Sequence, residues 1–311
     1  MRRISSQIHI ALALLFAGVP MSSGQTSTPG SPETTLKVST VVVNVPAVVR
    51  DKTGRLIADL GQGDFELTED RKLQEITYFS RQEELPLRVG ILMDTSYSQM
   101  HVLPEERTRA KAFIQEVMRP QDSFFIMQFD NKVQMLQDFT NDPQALFRTI
   151  DGIDKTARRT RLLDAVREAS ALMQKQQGRK ALILLTDGGD TSISLTARKK
   201  AVRAALEADI VIYSVATTDP VMYVWPTYAL KARSILNELS NQTGGRVMRI
   251  HKDQFAEAFQ QLSEELRSLY LLGYTPLPRP KPGSFHHLNV SVRQRDFRVR
   301  GRAGYYAGAR E

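Results

Sequence analysis

The chain has 311 residues, enough for one α/β domain and a smaller second domain, and a composition of 41% hydrophobic and 24% charged residues excludes a disordered protein. The absence of cysteine excludes a disulfide-held scaffold and a cysteine nucleophile. The net charge of +8 comes from scattered basic residues without a nucleic-acid-binding motif, so we expect no nucleic-acid partner.

Residues 1–24 have the order of features that is typical of a secretory signal peptide. Arg2 and Arg3 supply positive charge, residues 8–19 form an apolar stretch, and small residues follow at 22–24. The apolar stretch is shorter than a membrane-spanning helix needs. We therefore expect cleavage, no stable membrane span afterwards, and a secreted or periplasmic location; an uncleaved anchor is the alternative. Residues 25–35, rich in Ser, Thr, Gly and Pro, predict a flexible linker.

Residues 36–84 predict a small N-terminal β segment. Residues 36–45 are rich in β-branched side chains, and Pro46 after them indicates an edge position or a bulge. Further strands are predicted at 47–50, 65–68 and 74–80. This segment is too small to form a stable sheet alone.

Residues 85–269 predict an α/β domain, because apolar strands alternate with amphipathic helices. Strands are predicted at 87–93, 123–129, 133–136, 181–185, 210–216 and 247–250. Helices are predicted at 104–118, 143–150, 162–176, 196–207, 230–241 and 254–269. This alternation is typical of a doubly wound, mostly parallel sheet, here with one antiparallel edge hairpin.

The C-terminal segment, residues 270–311, returns to β patterns. Strands are predicted at 270–274, 287–292 and 297–306, with a proline-rich connector at 276–282. Neither flank is large enough for a stable sheet of its own. We therefore predict that the segments 36–84 and 270–311 pair into one β-sandwich, with the α/β domain inserted between them.

Three polar segments of the α/β domain predict a metal site. Asp94, Ser96 and Ser98 follow the first buried strand, Asp187 follows a second buried strand, and Thr160 lies in a neighbouring loop. Loops at the carboxyl ends of parallel strands converge on one edge of a sheet, so two carboxylates and three hydroxyls should meet there. This all-oxygen set suits a hard divalent cation, Mg²⁺ or in its place Mn²⁺ or Ca²⁺. Taken singly, each segment could instead be a helix cap or a polar turn.

The complete set resembles the metal-ion-dependent adhesion site of von Willebrand factor A domains, whose signature is Asp-x-Ser-x-Ser with a distant Thr and a distant Asp. The resemblance covers about residues 85–269 and implies that the five residues named above are the metal ligands. Tyr97 stands where the family commonly has Gly, but it is not a ligand position. Arg158 and Arg159 stand where Gly-Gly often precedes the Thr. The charge of these two residues and of Arg161 would weaken cation affinity and favour an acidic partner.

The flanks resemble a bacterial subgroup of secreted proteins that carry this domain. The similar segments are 64–70 before the domain, and 271–276 and 304–306 after it. This resemblance agrees with the secreted or periplasmic location expected from residues 1–24.

Metal-bridged binding is the function that these residues predict. Two formal negative charges against a dication leave the ion electrophilic, so its open position would attract a carboxylate from another molecule. The family resemblance implies a protein or matrix ligand, and we therefore expect an adhesion or protein-binding module. Tyr223, Trp225 and Tyr228 near the rim could add partner contacts, or could pack on the sheet edge or the sandwich.

Two other functions compete with this interpretation. The protein could be a structural scaffold of an envelope assembly with an incidental metal site. A metal-dependent hydrolase would need a base near the ion, and the chain offers no convincing one and no Gly-x-Ser-x-Gly elbow. We therefore predict that it is not an enzyme. Asp164 and Asp190 are further candidates near the site, the first expected in the opening turn of a helix and the second as a cap or support of its loop.

Overall fold

The computed structural model describes residues 42–81, 85–153, 157–191, 194–217, 226–250, 254–268 and 270–308. All of these residues belong to one unit of the fold, residues 40–311. The predicted signal peptide, the predicted linker and the first part of the N-terminal β segment lie outside the described residues. In the described ranges, no helix has the length and apolar character needed to cross a membrane.

The described residues form fourteen strands and six α-helices. The strands are β1 (Val43–Arg50), β2 (Phe65–Glu69), β3 (Lys72–Gln74), β4 (Tyr78–Arg81), β5 (Leu87–Asp94), β6 (Ser123–Phe129), β7 (Val133–Thr140), β8 (Arg179–Leu185), β9 (Ile210–Thr217), β10 (Val247–Ile250), β11 (Tyr270–Tyr274), β12 (Phe285–Val292), β13 (Arg298–Gly301) and β14 (Gly304–Tyr306). The helices are α1 (Leu103–Val117), α2 (Pro143–Asp151), α3 (Leu162–Gln174), α4 (Leu195–Glu207), α5 (Pro226–Thr243) and α6 (Phe255–Arg267).

A six-stranded sheet with the order β10-β9-β8-β5-β6-β7 forms the centre of the α/β part. All neighbouring strands are parallel except β6 and β7, which form an antiparallel pair at one edge. The predicted doubly wound, mostly parallel sheet with an antiparallel edge hairpin is therefore confirmed. Strand β7 continues to Thr140, beyond its predicted end at residue 136, because an edge strand can carry polar residues such as Gln137 and Asp138.

Helices cover both faces of the central sheet because side chains alternate along its strands. On β5, Val89, Ile91 and Met93 pack in one core with α1, α2 and α6. Leu92 points to the opposite face and packs in a second core with α3, α4 and α5. Helix α5 begins at Pro226, earlier than its predicted start at residue 230.

Two antiparallel sheets, β13-β1-β11-β4 and β14-β12-β2-β3, form a β-sandwich from the two flanks. Strand β1 pairs with β11 and β13, and β2 pairs with β12, so each sheet mixes N-terminal and C-terminal strands. Val45 and Leu272 of one sheet share a core with Leu67 and Leu288 of the other. The predicted pairing of the flanks is confirmed.

For two segments of the sandwich, the prediction of one continuous strand is wrong. The segment 74–80 divides into the end of β3 and the start of β4, and 297–306 divides into β13 and β14. In each case the two pieces lie in different sheets. Local alternation shows that a segment is extended but does not show where the chain crosses from one sheet to the other.

Strand β1 passes through Pro46 without a break, although the sequence predicted an edge position or a bulge there. The strand lies inside its sheet, between β13 and β11. Pro46 pairs with Leu271 on one side, and pairing with β13 on the other side begins only at Ala47. Proline is tolerated because at that residue the strand has a single neighbour.

Buried Glu265 on α6 connects the sandwich to the α/β part. Its carboxylate lies 2.8 Å from Arg50 of β1 and 3.1 Å from Arg246, and it also contacts Arg300 of β13. Burial above all, with the charges of Arg246 and Arg50, lowers the pKa of Arg300 to about 10. Arg300 therefore stays charged near neutral pH, and the three arginines hold both parts of the molecule around one carboxylate.

A substitution of Gly90, in the middle of β5, tests the close packing of the second core. A Cβ atom at this position would lie 2.2 Å from Cζ of Phe125 and 2.6 Å from Cδ2 of Leu182. Because this overpacks the core, we expect Gly90→Ala to lower the free energy of unfolding by about 1–3 kcal/mol in urea denaturation. Gly63→Ala is the control, since no atom lies within 4 Å of its Cβ position. Equal stability of the two variants would contradict the packing described.

Candidate metal site

Backbone hydrogen bonds hold together the three segments that carry the predicted ligands. The N–H of Tyr97 donates to the carbonyl of Ala157 at 2.8 Å, and the N–H of Ala157 donates to the carbonyl of Thr95 at 3.1 Å. The N–H of Thr191 donates to the carbonyl of Thr160 at 2.9 Å. The loops after β5 and β8 and the segment before α3 therefore meet at one edge of the sheet, where β5 and β8 are neighbours.

Asp94 ends β5, and its side chain is fully buried. Its Oδ1 accepts the N–H of Ser96 at 2.9 Å, and its Oδ2 accepts the hydroxyl of Thr186. Burial, followed by the negative charge of Asp187, raises the pKa of Asp94 to about 7, although both hydrogen bonds act in the opposite direction. The hydroxyl of Thr186, the residue before Asp187, thus connects the loop after β8 to the end of β5.

Ser96 and Ser98 bring two hydroxyls to the same side of the loop after β5. Their Oγ atoms lie 3.1 Å apart. Ser96 is buried and Ser98 is half-buried, whereas the side chain of Tyr97 between them is 62% exposed. Tyr97 thus points away from the pair, and its replacement of the family's usual glycine does not obstruct the two hydroxyls.

Asp187 is buried in the loop after β8. Its Oδ1 accepts the N–H of Gly189 at 2.7 Å, whereas its Oδ2 has no hydrogen-bond partner among the described residues. Thr160 is also buried, and its carbonyl accepts both the N–H and the hydroxyl of Thr191. An unpaired buried carboxylate oxygen is costly, and it is a group that a cation would satisfy.

Glu106 is a buried carboxylate near the site that the sequence analysis missed. It lies near the start of α1 with its side chain fully buried, and neither carboxylate oxygen has a hydrogen-bond partner among the described residues. Burial, followed by the charges of Asp94 and Asp187, raises its pKa well above the usual range. The signal was present: Glu106 precedes Ala110 by four residues and Phe113 by seven, which places a charged residue on the predicted buried face.

Asp190 and Asp164 have supporting positions. Asp190 is buried, and its Oδ2 accepts the N–H of Leu163 at 2.8 Å, which caps the start of α3. Asp164 lies in the first turn of α3, with ion pairs to Arg161 at 2.6 Å and Arg167 at 3.0 Å. Each residue therefore has the local role that its position in the sequence suggested.

Tyr228 on α5 lies against the loop after β8. A Cβ atom on Gly189 would be 1.9 Å from the Tyr228 hydroxyl oxygen, so glycine is required for this approach. Burial, followed by the charges of Asp187, Asp94 and Asp190, raises the pKa of Tyr228. Tyr228 is thus a half-buried neighbour of the carboxylates, and the other two predicted rim aromatics lie outside the described residues.

A second polar cluster lies in the sandwich and is internally satisfied. Nδ1 of His286 lies 2.9 Å from Asp70 Oδ2 and 3.3 Å from Glu69 Oε1. The hydroxyl of Tyr305 donates to Glu69 at 2.7 Å. These groups could surround a metal ion, but they already serve as partners for one another. They therefore lack the unpaired oxygens found around Asp94 and Asp187.

With Ser284 added, the cluster contains the serine–histidine–aspartate sequence of contacts that is found in a nucleophilic triad. Its Oγ lies 2.7 Å from Nε2 of His286, whose Nδ1 faces Asp70. The Ser284 hydroxyl also donates to the carbonyl of Lys281, and its N–H donates to the same carbonyl at 3.0 Å. The N–H of the serine is therefore already engaged and not free to stabilise an oxyanion.

The part of the chain that carries the predicted ligands is similar to a known family. Residues 89–189 match the family model of the von Willebrand factor type A domain. This type A segment contains Asp94, Ser96, Ser98, Thr160 and Asp187. The predicted resemblance is confirmed for this segment, whereas the metal-dependent motif and the bacterial subgroup stay predictions. No curated protein matches the sequence.

Three solved structures are also similar to the chain. The von Willebrand factor domain of the type V pili tip protein Mfa5 from Porphyromonas gingivalis is 12% identical, with a TM-score of 0.49, over 58% of this chain and 95% of that chain. The conserved hypothetical protein BatB from Bacteroides thetaiotaomicron is 18% identical, with a TM-score of 0.48, over 58% and 97%. A von Willebrand factor type A protein from Catenulispora acidiphila is 11% identical, with a TM-score of 0.49, over 87% and 75%. These values are too low to transfer a fold or a function to this chain.

A substitution of Thr186 tests how the type A segment stabilises Asp94. Its hydroxyl donates to Asp94 and accepts the N–H of Gly188 at 3.0 Å. Thr186→Val keeps the shape but leaves both partners unpaired, so we expect the free energy of unfolding in metal-free buffer to fall by about 1–3 kcal/mol. Thr196→Val, at an exposed position of α4, is the matched control for urea denaturation. If both variants were equally stable, the hydrogen bonds of Thr186 would not support the site.

Proposed function

We propose that this protein is a secreted or periplasmic binding module that captures an acidic group of another protein, or of a matrix, through a bound divalent cation. One observation carries the proposal: buried Asp94 and Asp187 follow neighbouring parallel strands, and Thr186, next to Asp187, donates its hydroxyl to Asp94. Within the part of the chain that the structure describes, neither carboxylate forms an ion pair with a lysine or arginine. The signal-peptide pattern of residues 1–24 supports the location.

The residues present fit a divalent cation. Burying two like charges is unfavourable because each loses hydration and each repels the other. A cation bound between Asp94 and Asp187 would remove both costs. The hydroxyls of Ser96, Ser98 and Thr160 would complete an oxygen set that suits Mg²⁺, Mn²⁺ or Ca²⁺. The bound cation would supply a Lewis-acidic centre for an incoming carboxylate.

The surface around the site supports an acidic partner. Tyr97 is 62% exposed and Met100 is 40% exposed, so the loop that carries the two serines is accessible from solvent. Arg158 and Arg159 are exposed in the segment that leads to Thr160. Their positive charge would attract an acidic group towards the metal and would increase its association rate.

We expect binding to a peptide array to require both the cation and a carboxylate. Peptides with one central Asp or Glu should retain the protein in MgCl₂, and matched peptides with Asn or Gln should not. Chelation by EDTA, or Ser96→Ala, should abolish retention because no ion remains to bridge the two molecules. Thr196→Ala, at an exposed position away from the proposed ligands, should behave like the wild type.

Retention that survives both EDTA and Ser96→Ala would contradict metal-bridged capture. That result would favour the structural scaffold, which uses the surface of the protein without the ion. Retention lost in EDTA but equal on acidic and amide peptides would contradict the acidic partner and leave the metal dependence standing.

A further inference from the structure

The direction of the hydrogen bonds around His286 fixes which ring nitrogen carries the proton in the neutral ring. A carbonyl oxygen only accepts, so the hydroxyl proton of Ser284 lies on the hydrogen bond to the carbonyl of Lys281. The Oγ of Ser284 must therefore accept from Nε2 of His286, which lies 2.7 Å away. In the neutral ring, Nε2 carries the single proton, and Nδ1 is left as an acceptor.

The two groups that face Nδ1 are acceptors as well. Nδ1 of His286 lies 2.9 Å from Oδ2 of Asp70 and 3.3 Å from Oε1 of Glu69. Ionised carboxylates have no proton to donate, so three lone pairs face one another around buried Glu69. The contacts of this cluster are complete only when a cation lies between the three atoms. That cation is either a second ring proton or a metal ion.

The spacing of the three atoms fits a metal ion. Oε1 of Glu69, Oδ2 of Asp70 and Nδ1 of His286 all lie within 4.8 Å of one another. Nitrogen and oxygen ligands of a tetrahedral zinc ion lie about 3.3 Å apart, because each is about 2.0–2.2 Å from the metal. Imidazole together with carboxylates suits zinc. Asp70 is exposed, so water can reach the fourth position of the ion.

Further contacts hold each of the three side chains in this orientation. Oδ1 of Asp70 accepts the N–H of His287 at 2.9 Å, which leaves Oδ2 for an ion. Oε1 of Glu69 accepts the hydroxyl of Tyr305 at 2.7 Å, and the Tyr305 ring stacks on the ring of His286 with 5.5 Å between centroids. Metal ligands in proteins have such supporting partners, including an acceptor for the second ring N–H of the histidine.

We propose that Glu69, Asp70 and His286 form a zinc site that joins the two flanks of the chain. Glu69 ends β2 and Asp70 follows it, whereas His286 lies on β12, 216 residues after Asp70. The ion therefore links N-terminal and C-terminal strands of one sheet. Because the three ligands meet only in the folded sandwich, binding of the ion stabilises the fold. The site is independent of the proposed ligands Asp94 and Asp187, which belong to the α/β part.

The test measures the thermal unfolding midpoint of the metal-free full chain as Zn²⁺ is added. We expect Zn²⁺ to raise the midpoint of the wild type, because the ion binds the folded state. His286→Gln should need at least about tenfold more Zn²⁺ for the same rise, since it loses the nitrogen ligand. His287→Gln makes the same change at the adjacent, exposed position and should match the wild type.

Two results would overturn the zinc site. One is the absence of a Zn²⁺-dependent rise in the wild type, which would leave a proton as the cation between the three atoms. The other is an equal Zn²⁺ requirement in the wild type and in His286→Gln.

Asp70→Asn replaces the glutamine variant if that variant does not fold. Asparagine tolerates the left-handed backbone of residue 70, where φ is 47°, and can accept the same N–H from His287. The substitution removes one negative charge from the site, so the Zn²⁺ requirement should again rise at least about tenfold. An unchanged requirement would overturn the inference.

Asp187→Asn distinguishes the zinc site from the proposed function. A Zn²⁺-dependent rise that survives in Asp187→Asn and is lost in His286→Gln supports the zinc site, whether or not the proposed function holds. A rise that is lost in Asp187→Asn and survives in His286→Gln would assign the ion to the proposed binding site and overturn the inference.

Discussion

The site depends on one constraint: acidic side chains are buried where the central strands end. Asp94, Asp187 and Glu106 are all buried, and the charge of one raises the pKa of another. Hydrogen bonds from Ser96 and Thr186 satisfy Asp94. In the described ranges, one oxygen of Asp187 and both oxygens of Glu106 have no such partner. The proposed divalent cation would satisfy the unpaired oxygen of Asp187.

The fold explains why these groups meet. Strands β5 and β8 are parallel neighbours, so the loops after them leave the sheet at the same edge. The segment before α3 is bonded to both loops through Ala157 and Thr160. The β-sandwich lies outside this arrangement, and the arginines around Glu265 connect it to the α/β part. The proposed site therefore lies in the type A segment, while the flanks form a separate core.

Much of the fold could be predicted because hydrophobic periodicity reports directly on burial. The apolar run before Asp94 and the polar residues after it indicated both a strand and the edge where its loop lies. Periodicity could not show that the segment 74–80 crosses between sheets, because strands in either sheet alternate in the same way. Glu106 was missed because its position on the buried face of α1 appears only when the whole helix is aligned. Tyr228 was predicted near the rim, but its contact with Gly189 joins distant parts of the chain and could not be predicted.

Calorimetric titration of Mg²⁺ into the full chain, with wild type beside Asp187→Asn, tests the central claim most directly. The substitution keeps the shape of the side chain and removes one of the two charges that carry the proposal. The account predicts saturable binding to the wild type and no detectable binding to the variant. Absence of binding to the wild type, or equal binding to both proteins, would contradict it.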